Sequence, residues 1–162
     1  MIDKRIKLVK ATRKDLKVIY GLIIDKNVMG SFQNIFLGSL SKLLKNCYKN
    51  NSIKYFLIKD VESEIIGVMY YKFEKRFNAF EVGGAIIPSK RSSGYGCAAH
   101  KALIDLLFKQ KRIKRLQAIT STRNLNEINI LKKCGFVCEG VLKKAGRIGK
   151  IKHDLAIFAF LS

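Results

Sequence analysis

The sequence predicts an α/β (α+β) fold in which a mixed sheet is covered by helices. The strand-like and helix-like segments follow the order β-α-α-β-β-β-α-β-α-β-β, which is typical of such a sheet. An apolar content of 48% over 162 residues is enough for a hydrophobic core with a cleft in it. No linker, internal repeat or low-complexity segment divides the chain, so residues 1–162 are expected to form a single domain.

In the N-terminal third, the pattern of apolar residues predicts one short strand around Ile6, followed by two helices. Thr12 is the expected N-cap of the first helix, and Asp15 lies in its first turn. The inward face of that helix carries Leu16, Ile19, Tyr20 and Ile23. Residues 25–34 show no clear period, and the second helix is expected over about residues 35–48.

The rest of the chain shifts toward strands that alternate with two further helices. Strands are predicted at 53–59, 64–74, 77–87, 115–121, 136–143 and 150–161, and helices at 94–108 and 125–133. The central helix is predicted at 94–108 because the apolar residues of that segment fall on roughly one helical face.

The most informative stretch joins the strand that ends near Ile87 to this central helix. Pro88 cannot donate to a sheet ladder, so it is expected to end the strand. Gly94 and Gly96 allow close backbone approach, which indicates a tight loop directly before the helix.

The amide groups of residues 92–97 would then lie at a helix N-terminus, which is a favourable position for an anion. Lys90 and Arg91 are expected to add positive charge beside it. The pattern is neither a Walker loop nor the dinucleotide fingerprint GxGxxG. A plain turn before a helix is the alternative interpretation of this stretch.

The formal net charge of +20 indicates attraction to polyanions in general. The basic residues are spread from Lys4 to Lys152, and lysine outnumbers arginine, the better reader of phosphates and bases. A solvated lysine-rich surface is therefore preferred over a dedicated nucleic-acid interface.

The chain is expected to be cytosolic, because it contains no run of membrane-spanning length and no signal peptide. The four cysteines then indicate reduced thiols rather than a disulfide framework. Cys134 and Cys138 have no second pair of ligands near them, so no metal site is expected.

Several segments of the chain resemble GNAT acyltransferases. Ile86-x-Pro88 followed by Arg91-x-x-Gly94-x-Gly96 is similar to the pyrophosphate loop of that family, with isoleucine in place of valine. The run from Asn124 to Gly135-Phe136 is similar to the family pattern Asn-x-x-Ser/Ala-x-x-x-Leu-x-Lys-x-Gly-Phe. Further matches resemble the ribosomal-protein N-acetyltransferase (RimJ/RimL-like) branch: Glu81-Val82-Gly83, Glu139-Gly140 and His153-Asp154.

The resemblance implies a mixed, mostly antiparallel twisted sheet with helices on both faces. It also implies acetyl-CoA as co-substrate, direct transfer of the acetyl group to a primary amine, and a monomer or homodimer. The residues that it assigns to CoA are Ile86, Arg91, Ser92, Ser93, Gly94, Tyr95, Gly96, Cys97 and Asn124. Asn124 has a second interpretation as the N-cap of the helix that begins at Leu125.

The resemblance makes Glu81 the candidate catalytic base and the amide of Ile86 the group that polarises the thioester carbonyl. Glu81 has an alternative role as a structural carboxylate bonded to a neighbouring strand or loop. Leu131 stands where many members of the family carry a tyrosine that protonates the leaving thiolate. Glu127 stands where this branch often has serine. No general acid is therefore carried over, and His100 is interpreted as a surface or packing residue.

An α-amine, with a pKa near 8, is neutral at pH 7 far more often than a lysine amine near 10.4. We therefore expect the acceptor to be the α-amine of a protein N-terminus or of a small amino compound. Two alternatives stay open, namely a basic RNA- or ribosome-associated binding module on the same fold, and an acetyltransferase acting on aminoacyl-tRNA.

Overall fold

The computed structural model describes residues 5–30, 38–49, 53–110, 113–148 and 150–161. The strands are β1 (Ile6–Lys10), β2 (Ile53–Asp60), β3 (Ile65–Glu74), β4 (Ala79–Ile86), β5 (Arg115–Ser121), β6 (Val137–Ile148) and β7 (Ile151–Leu161). The helices are α1 (Leu16–Ile24), α2 (Lys26–Met29), α3 (Leu40–Leu44), α4 (Tyr95–Gln110) and α5 (Leu125–Lys133). A π-helical turn over Lys45–Lys49 continues α3.

The strands form one 7-stranded sheet in the order β1-β2-β3-β4-β5-β7-β6. Every pair of neighbours is antiparallel except β4 and β5. That parallel pair is joined only at Phe80 with Leu116 and at Glu81 with Gln117. Beyond Glu81 and Gln117 the described residues of the two strands do not pair, which leaves a gap in the ladder of the sheet toward their C-terminal ends.

Each face of the sheet has its own apolar core, because alternate side chains of a strand point to opposite faces. The core under α4 and α5 includes Val82, Ala99, Leu103, Leu107, Leu116, Leu131, Phe136 and Phe158. The core under α1 and α3 includes Leu16, Ile19, Ile23, Leu43, Tyr55, Leu57 and Val68. The gap between β4 and β5 therefore opens between two layers of helices.

The predicted mixed, mostly antiparallel sheet with helices on both faces is confirmed. The Thr12 N-cap is also observed, with the Asp15 carboxylate accepting from the Thr12 amide at 2.8 Å and from its hydroxyl at 2.6 Å. No helix in the described ranges is long and apolar enough to span a bilayer.

Two segments differ from the prediction. The aperiodic stretch after Ile24 contains α2, a single turn whose Asp25 side chain accepts from the amide of Asn27 at 2.8 Å. One turn is too short to show a helical period. The second predicted helix is observed from Leu40 onward, and its first part, residues 35–37, lies outside the described residues.

Candidate active site

The loop between β4 and α4 presents a series of backbone donors. Ser92 and Gly94 both have positive φ angles, of 62° and 81°, which turn the chain tightly into the helix. Among the residues that the structure describes, the amides from Ser92 to Cys97 have no acceptor. Because these donors converge at the N-terminus of a 16-residue helix, they form a cradle for an anion.

The two basic residues that precede this cradle point elsewhere, contrary to the expectation that they add charge beside it. Lys90 Nζ forms ion pairs with Asp60 at 3.1 Å and Glu64 at 2.8 Å. Both carboxylates flank the turn between β2 and β3. Lys90 therefore fastens the loop to that turn.

The guanidinium of Arg91 is occupied by backbone carbonyls. Its Nε donates to the Ile86 carbonyl at 3.0 Å, and its Nη2 donates to the carbonyls of Asn27 and Val28, both at 2.7 Å. Arg91 thus joins the end of β4 to α2. Whether it also contacts CoA stays a prediction, and its observed partners are structural.

Arg5 supplies positive charge to the loop from a distant part of the chain. Its Nη1 donates to the Ser93 carbonyl at 3.0 Å, and its guanidinium carbon lies 5.6 Å from the centre of the Tyr95 ring. No motif marks this arginine in the sequence, and the contact spans a separation of 88 residues. Sequence reasoning missed it.

The exposed edge of β4 lies beside the loop. The Ile87 amide donates to the Ile66 carbonyl of β3 at 2.9 Å, and amides alternate in direction along an antiparallel strand. The amide of Ile86 therefore points away from β3, into the gap between β4 and β5. This is the direction that the predicted role of Ile86 requires.

Glu81 lies at the closed end of the gap, on the face of the sheet opposite α4. Its carboxylate is 3.1 Å from Lys72 Nζ of β3, and its side chain is only 15% exposed. The Tyr70 hydroxyl is its second partner. Burial, and then the negative charge of Glu81, raise the pKa of Tyr70, so this phenol stays protonated and donates to the carboxylate. The expected structural bonds to a neighbouring strand exist, and the position remains one that a base would need.

Asn124 caps α5 as one of its two interpretations predicted. Its Oδ1 accepts from the Glu127 amide at 3.4 Å, and its Nδ2 donates to the Thr120 hydroxyl at 3.2 Å. These bonds hold the start of α5 against the end of β5. The contact with the pantetheine arm stays a prediction.

His100 is buried between α4 and α5, with 3% of its surface exposed, and so packs inside rather than on the surface. Its Nδ1 lies 3.0 Å from the Gly96 carbonyl, and its Nε2 lies 3.3 Å from Glu127 Oε1. Sequence reasoning missed this pairing of His100 with Glu127. The histidine and the glutamate come from different helices, His100 lies in no motif, and Glu127 departs from the serine expected at its position.

The cysteines are free thiols. The sulfur of Cys97 lies 3.4 Å from that of Cys134, and burial raises the pKa of Cys134 to about 12. A thiol with so high a pKa is a poor nucleophile and a poor metal ligand near neutral pH.

Of the site residues predicted from the sequence, the structure brings together the loop amides, Ile86 and Asn124 around the gap, with Glu81 at its closed end.

Comparisons with known proteins agree with this geometry. The family profile described as an acetyltransferase (GNAT) domain matches residues 5–137. The curated relative "Uncharacterized N-acetyltransferase YnaD" of Bacillus subtilis (strain 168) is 26% identical over 161 residues, covering 98% of this chain and 94% of that protein.

Two solved structures illustrate the shared fold. Spermidine N-acetyltransferase from Vibrio cholerae, in complex with CoA and spermine, superposes with a TM-score of 0.84 at 21% identity, over 98% of this chain and 96% of that one. The ribosomal L7/L12 alpha-N-protein acetyltransferase RimL, in complex with coenzyme A, has a TM-score of 0.81 at 17% identity, over 99% and 96%. The chain therefore belongs to the GNAT family of acetyltransferases, and the predicted N-acetyltransferase with acetyl-CoA as co-substrate is confirmed at that level.

Proposed function

We propose that residues 1–162 form a single acyl-CoA N-acyltransferase domain that acetylates the α-amine of a protein N-terminus or of a small amino compound. The observation that carries this proposal is the run of amides from Ser92 to Cys97 at the N-terminus of α4, next to the gap between β4 and β5. If the protein bound no phosphate, only water would accept hydrogen bonds from these amides.

In this proposal the amides of Ser92, Ser93, Gly94, Tyr95, Gly96 and Cys97 hold the diphosphate of CoA. Arg91 keeps the end of β4 and α2 in the arrangement that shapes the loop. The edge of β4 that faces the gap, at the amide of Ile86, pairs with the amide groups of the pantetheine arm in the manner of an added strand, with Asn124 on the opposite side of the gap.

The reaction that fits this site is direct attack of the amine on the thioester. Glu81 accepts a proton from the ammonium form of the acceptor, directly or through water. The nitrogen–carbon bond forms as the carbon–sulfur bond breaks, and the extra proton left on the new amide nitrogen passes to water. The Ile86 amide donates to the carbonyl oxygen while negative charge develops there. Because Leu131 is fully buried and apolar, it supplies no proton, and the sulfur leaves as a thiolate whose conjugate acid has a pKa near about 8.5.

The choice of an α-amine rests on charge and acidity. The structural neighbours act on different amines, spermidine in one case and the N-terminus of a ribosomal protein in the other. A net charge of +20 on this chain repels a polycation such as spermidine over long range. The matches at Glu81-Val82-Gly83 and Glu139-Gly140 support the RimJ/RimL-like branch, which agrees with an α-amine acceptor.

The test is release of CoA thiol from acetyl-CoA across a panel of amines. The panel includes peptides with free N-termini, their N-terminally acetylated counterparts, free amino acids and spermidine. We expect turnover with free α-amines and none with the blocked peptides. Turnover of spermidine alone would overturn the acceptor assignment, and no turnover with any amine would remove the support for enzymatic activity.

The second candidate function is a basic module that binds RNA or the ribosome, which the charge of +20 favours. RNA binding that weakens steeply with salt and ignores acetyl-CoA would support it. Acetylation of an aminoacyl-tRNA, added to the panel as a further acceptor, would instead show that the basic surface serves the enzymatic site.

A further inference from the structure

The surroundings of buried His100 and half-buried Glu127 favour one more proton than a neutral histidine beside a carboxylate carries. The Gly96 carbonyl can only accept, so Nδ1 of His100, 3.0 Å away, carries a hydrogen. In a neutral imidazole Nε2 would then carry a lone pair only 3.3 Å from the Glu127 carboxylate, which is repulsive. The favourable state places a second proton between them, so the pair consists of an imidazolium and a carboxylate.

A positive charge at this place is costly. Only 3% of the surface of His100 is exposed to solvent, and burial disfavours a charged group. It also lies in the second turn of α4, near the helix end that favours negative rather than positive charge. An apolar pair of similar size would often be as stable as a buried ion pair, so stability alone does not account for it.

The pair lies directly beneath the loop. Gly96 belongs to the run of amides that faces the anion cradle, and its carbonyl is the group that His100 holds. Glu127 lies in the first turn of α5, and its own amide donates to Asn124. The ion pair therefore connects the second turn of α4 to the first turn of α5, and the bond from His100 to Gly96 extends this connection to the first turn of α4.

We propose that His100 is a positioning residue for the coenzyme, whose ion pair with Glu127 holds the amides at the start of α4 in place for the diphosphate. This inference rests on the CoA site of the proposed function. The imidazolium also places positive charge behind those amides, whereas an unpaired Glu127 would place negative charge there. Protonation of His100 and binding of the diphosphate therefore favour one another.

The direction of the expected pH dependence follows. Burial lowers the pKa of His100, but the charge of Glu127 and the Gly96 carbonyl outweigh it and raise the pKa above 6.5. Cys134 and Tyr70 are within electrostatic reach of Glu127 and stay neutral because their pKa values are raised, and the exposed Lys101 is the basic residue that acts on Cys134. Affinity for the diphosphate should thus fall as pH rises through the pKa of His100.

The first test measures the dissociation constant of CoA by calorimetry for wild type, His100→Gln, Glu127→Gln and the double variant. We expect each single change to weaken binding by about tenfold or more, and the double change to weaken it by clearly less than the product of the two. His153→Gln, which alters another buried histidine on β7, is the matched control and should leave the constant unchanged. Circular dichroism identifies any variant that fails to fold.

The second test needs only the wild type and one variant. Binding of 3′-dephospho-CoA, which lacks the phosphate that titrates near pH 6, is measured from about pH 6 to pH 9. We expect wild-type affinity to fall as pH rises, with proton uptake on binding, and the double variant to show a flat profile.

The outcomes separate this inference from the proposed function. If the wild type binds no CoA, the proposed function fails. If the wild type binds CoA but a folded His100→Gln variant binds equally well, or if the two pH profiles coincide, only the positioning role is overturned.

Discussion

Tyr70 lies across Gly83, its cross-strand partner on β4, so closely that a Cβ at Gly83 would be 2.8 Å from the phenolic oxygen. The absence of a side chain at Gly83 is what lets the Tyr70 hydroxyl reach Glu81, two positions earlier on the same strand. Lys72 holds the other side of that carboxylate. The Glu81-Val82-Gly83 motif thus combines a carboxylate with the space that its phenolic partner occupies.

Replacing Gly83 by alanine should force the rigid Tyr70 ring to move, because real Cβ atoms do not approach a ring this closely. We expect a loss of about 1–3 kcal/mol in the free energy of unfolding, measured by urea denaturation. Gly140→Ala is the control, since nothing lies within 4 Å of a Cβ placed there. Equal stability of both variants would contradict the close packing of Tyr70 on Gly83.

Replacing Glu81 by glutamine removes the candidate base and keeps its size. We expect kcat to fall about 10²- to 10⁴-fold while the dissociation constant of CoA stays the same. The control is Glu62→Gln, which makes the same substitution at an exposed carboxylate in the turn after β2. Full activity with reduced stability would instead show that Glu81 serves only as the partner of Lys72 and Tyr70.

Replacing Arg91 by lysine keeps the charge and loses the fork that contacts three carbonyls. We expect the free energy of unfolding to fall by about 1–2 kcal/mol, with CoA affinity changed less than about threefold. Thermal melts and calorimetry measure the two effects, and Arg76→Lys in an exposed turn is the control. A large loss of affinity without a loss of stability would show that Arg91 contacts the diphosphate directly.

Replacing Gly94 by glutamate should abolish CoA binding. The φ of 81° strains any other residue by roughly 1–2 kcal/mol, and the new carboxylate would stand in the anion cradle. We expect the dissociation constant to rise more than about 100-fold, together with loss of turnover. Lys109→Glu, at the far end of α4, introduces a carboxylate away from the loop with an even larger change in net charge, two units instead of one, and should bind CoA normally. Retained binding in Gly94→Glu would place the diphosphate elsewhere.

The Glu139–Arg115 pair predicts a pH-dependent part of the stability. The two terminal guanidinium nitrogens, Nη1 and Nη2, donate to the carboxylate at 2.8 Å and 2.5 Å, and these bonds lower the pKa of Glu139 below 4.5. Since the folded-state pKa is lowered, the stabilisation is present above the unfolded value and disappears as pH falls through the folded value.

Glu139→Gln should therefore cost about 0.5–1 kcal/mol near pH 7, a modest amount because the pair is partly exposed. Urea denaturation of wild type and variant between about pH 2 and pH 7 measures the difference, which should shrink in acid. A difference that persists unchanged at the lowest pH would show that packing, rather than the ion pair, is responsible.

The order of elements was predictable because each depends on local spacing. Apolar periods of two or of about 3.6 residues mark the strands and helices, and Pro88 with Gly94 marks the loop between β4 and α4. The α2 turn was not predictable, because it is too short to display a period. The chain alone also placed Asn124 at the start of α5, where its side chain is now seen to cap the helix.

The partners that the long side chains contact could not be predicted from the sequence. From the sequence, Lys90 and Arg91 look like phosphate ligands, yet Lys90 binds carboxylates and Arg91 binds backbone carbonyls of other elements. Arg5, from the N-terminal segment, contacts the loop instead. His100 looked like a surface or packing residue until α5 was seen to bring Glu127 against it.

The sequence by itself determined the family, the sheet and the amide loop, since these follow from short-range patterns of backbone-directing residues. Only the tertiary structure decided which charges neutralise one another and which groups border the gap after Glu81 and Gln117. The physical reason is that an ion pair or a divergence between strands depends on the relative placement of segments far apart in the chain, which no local spacing records.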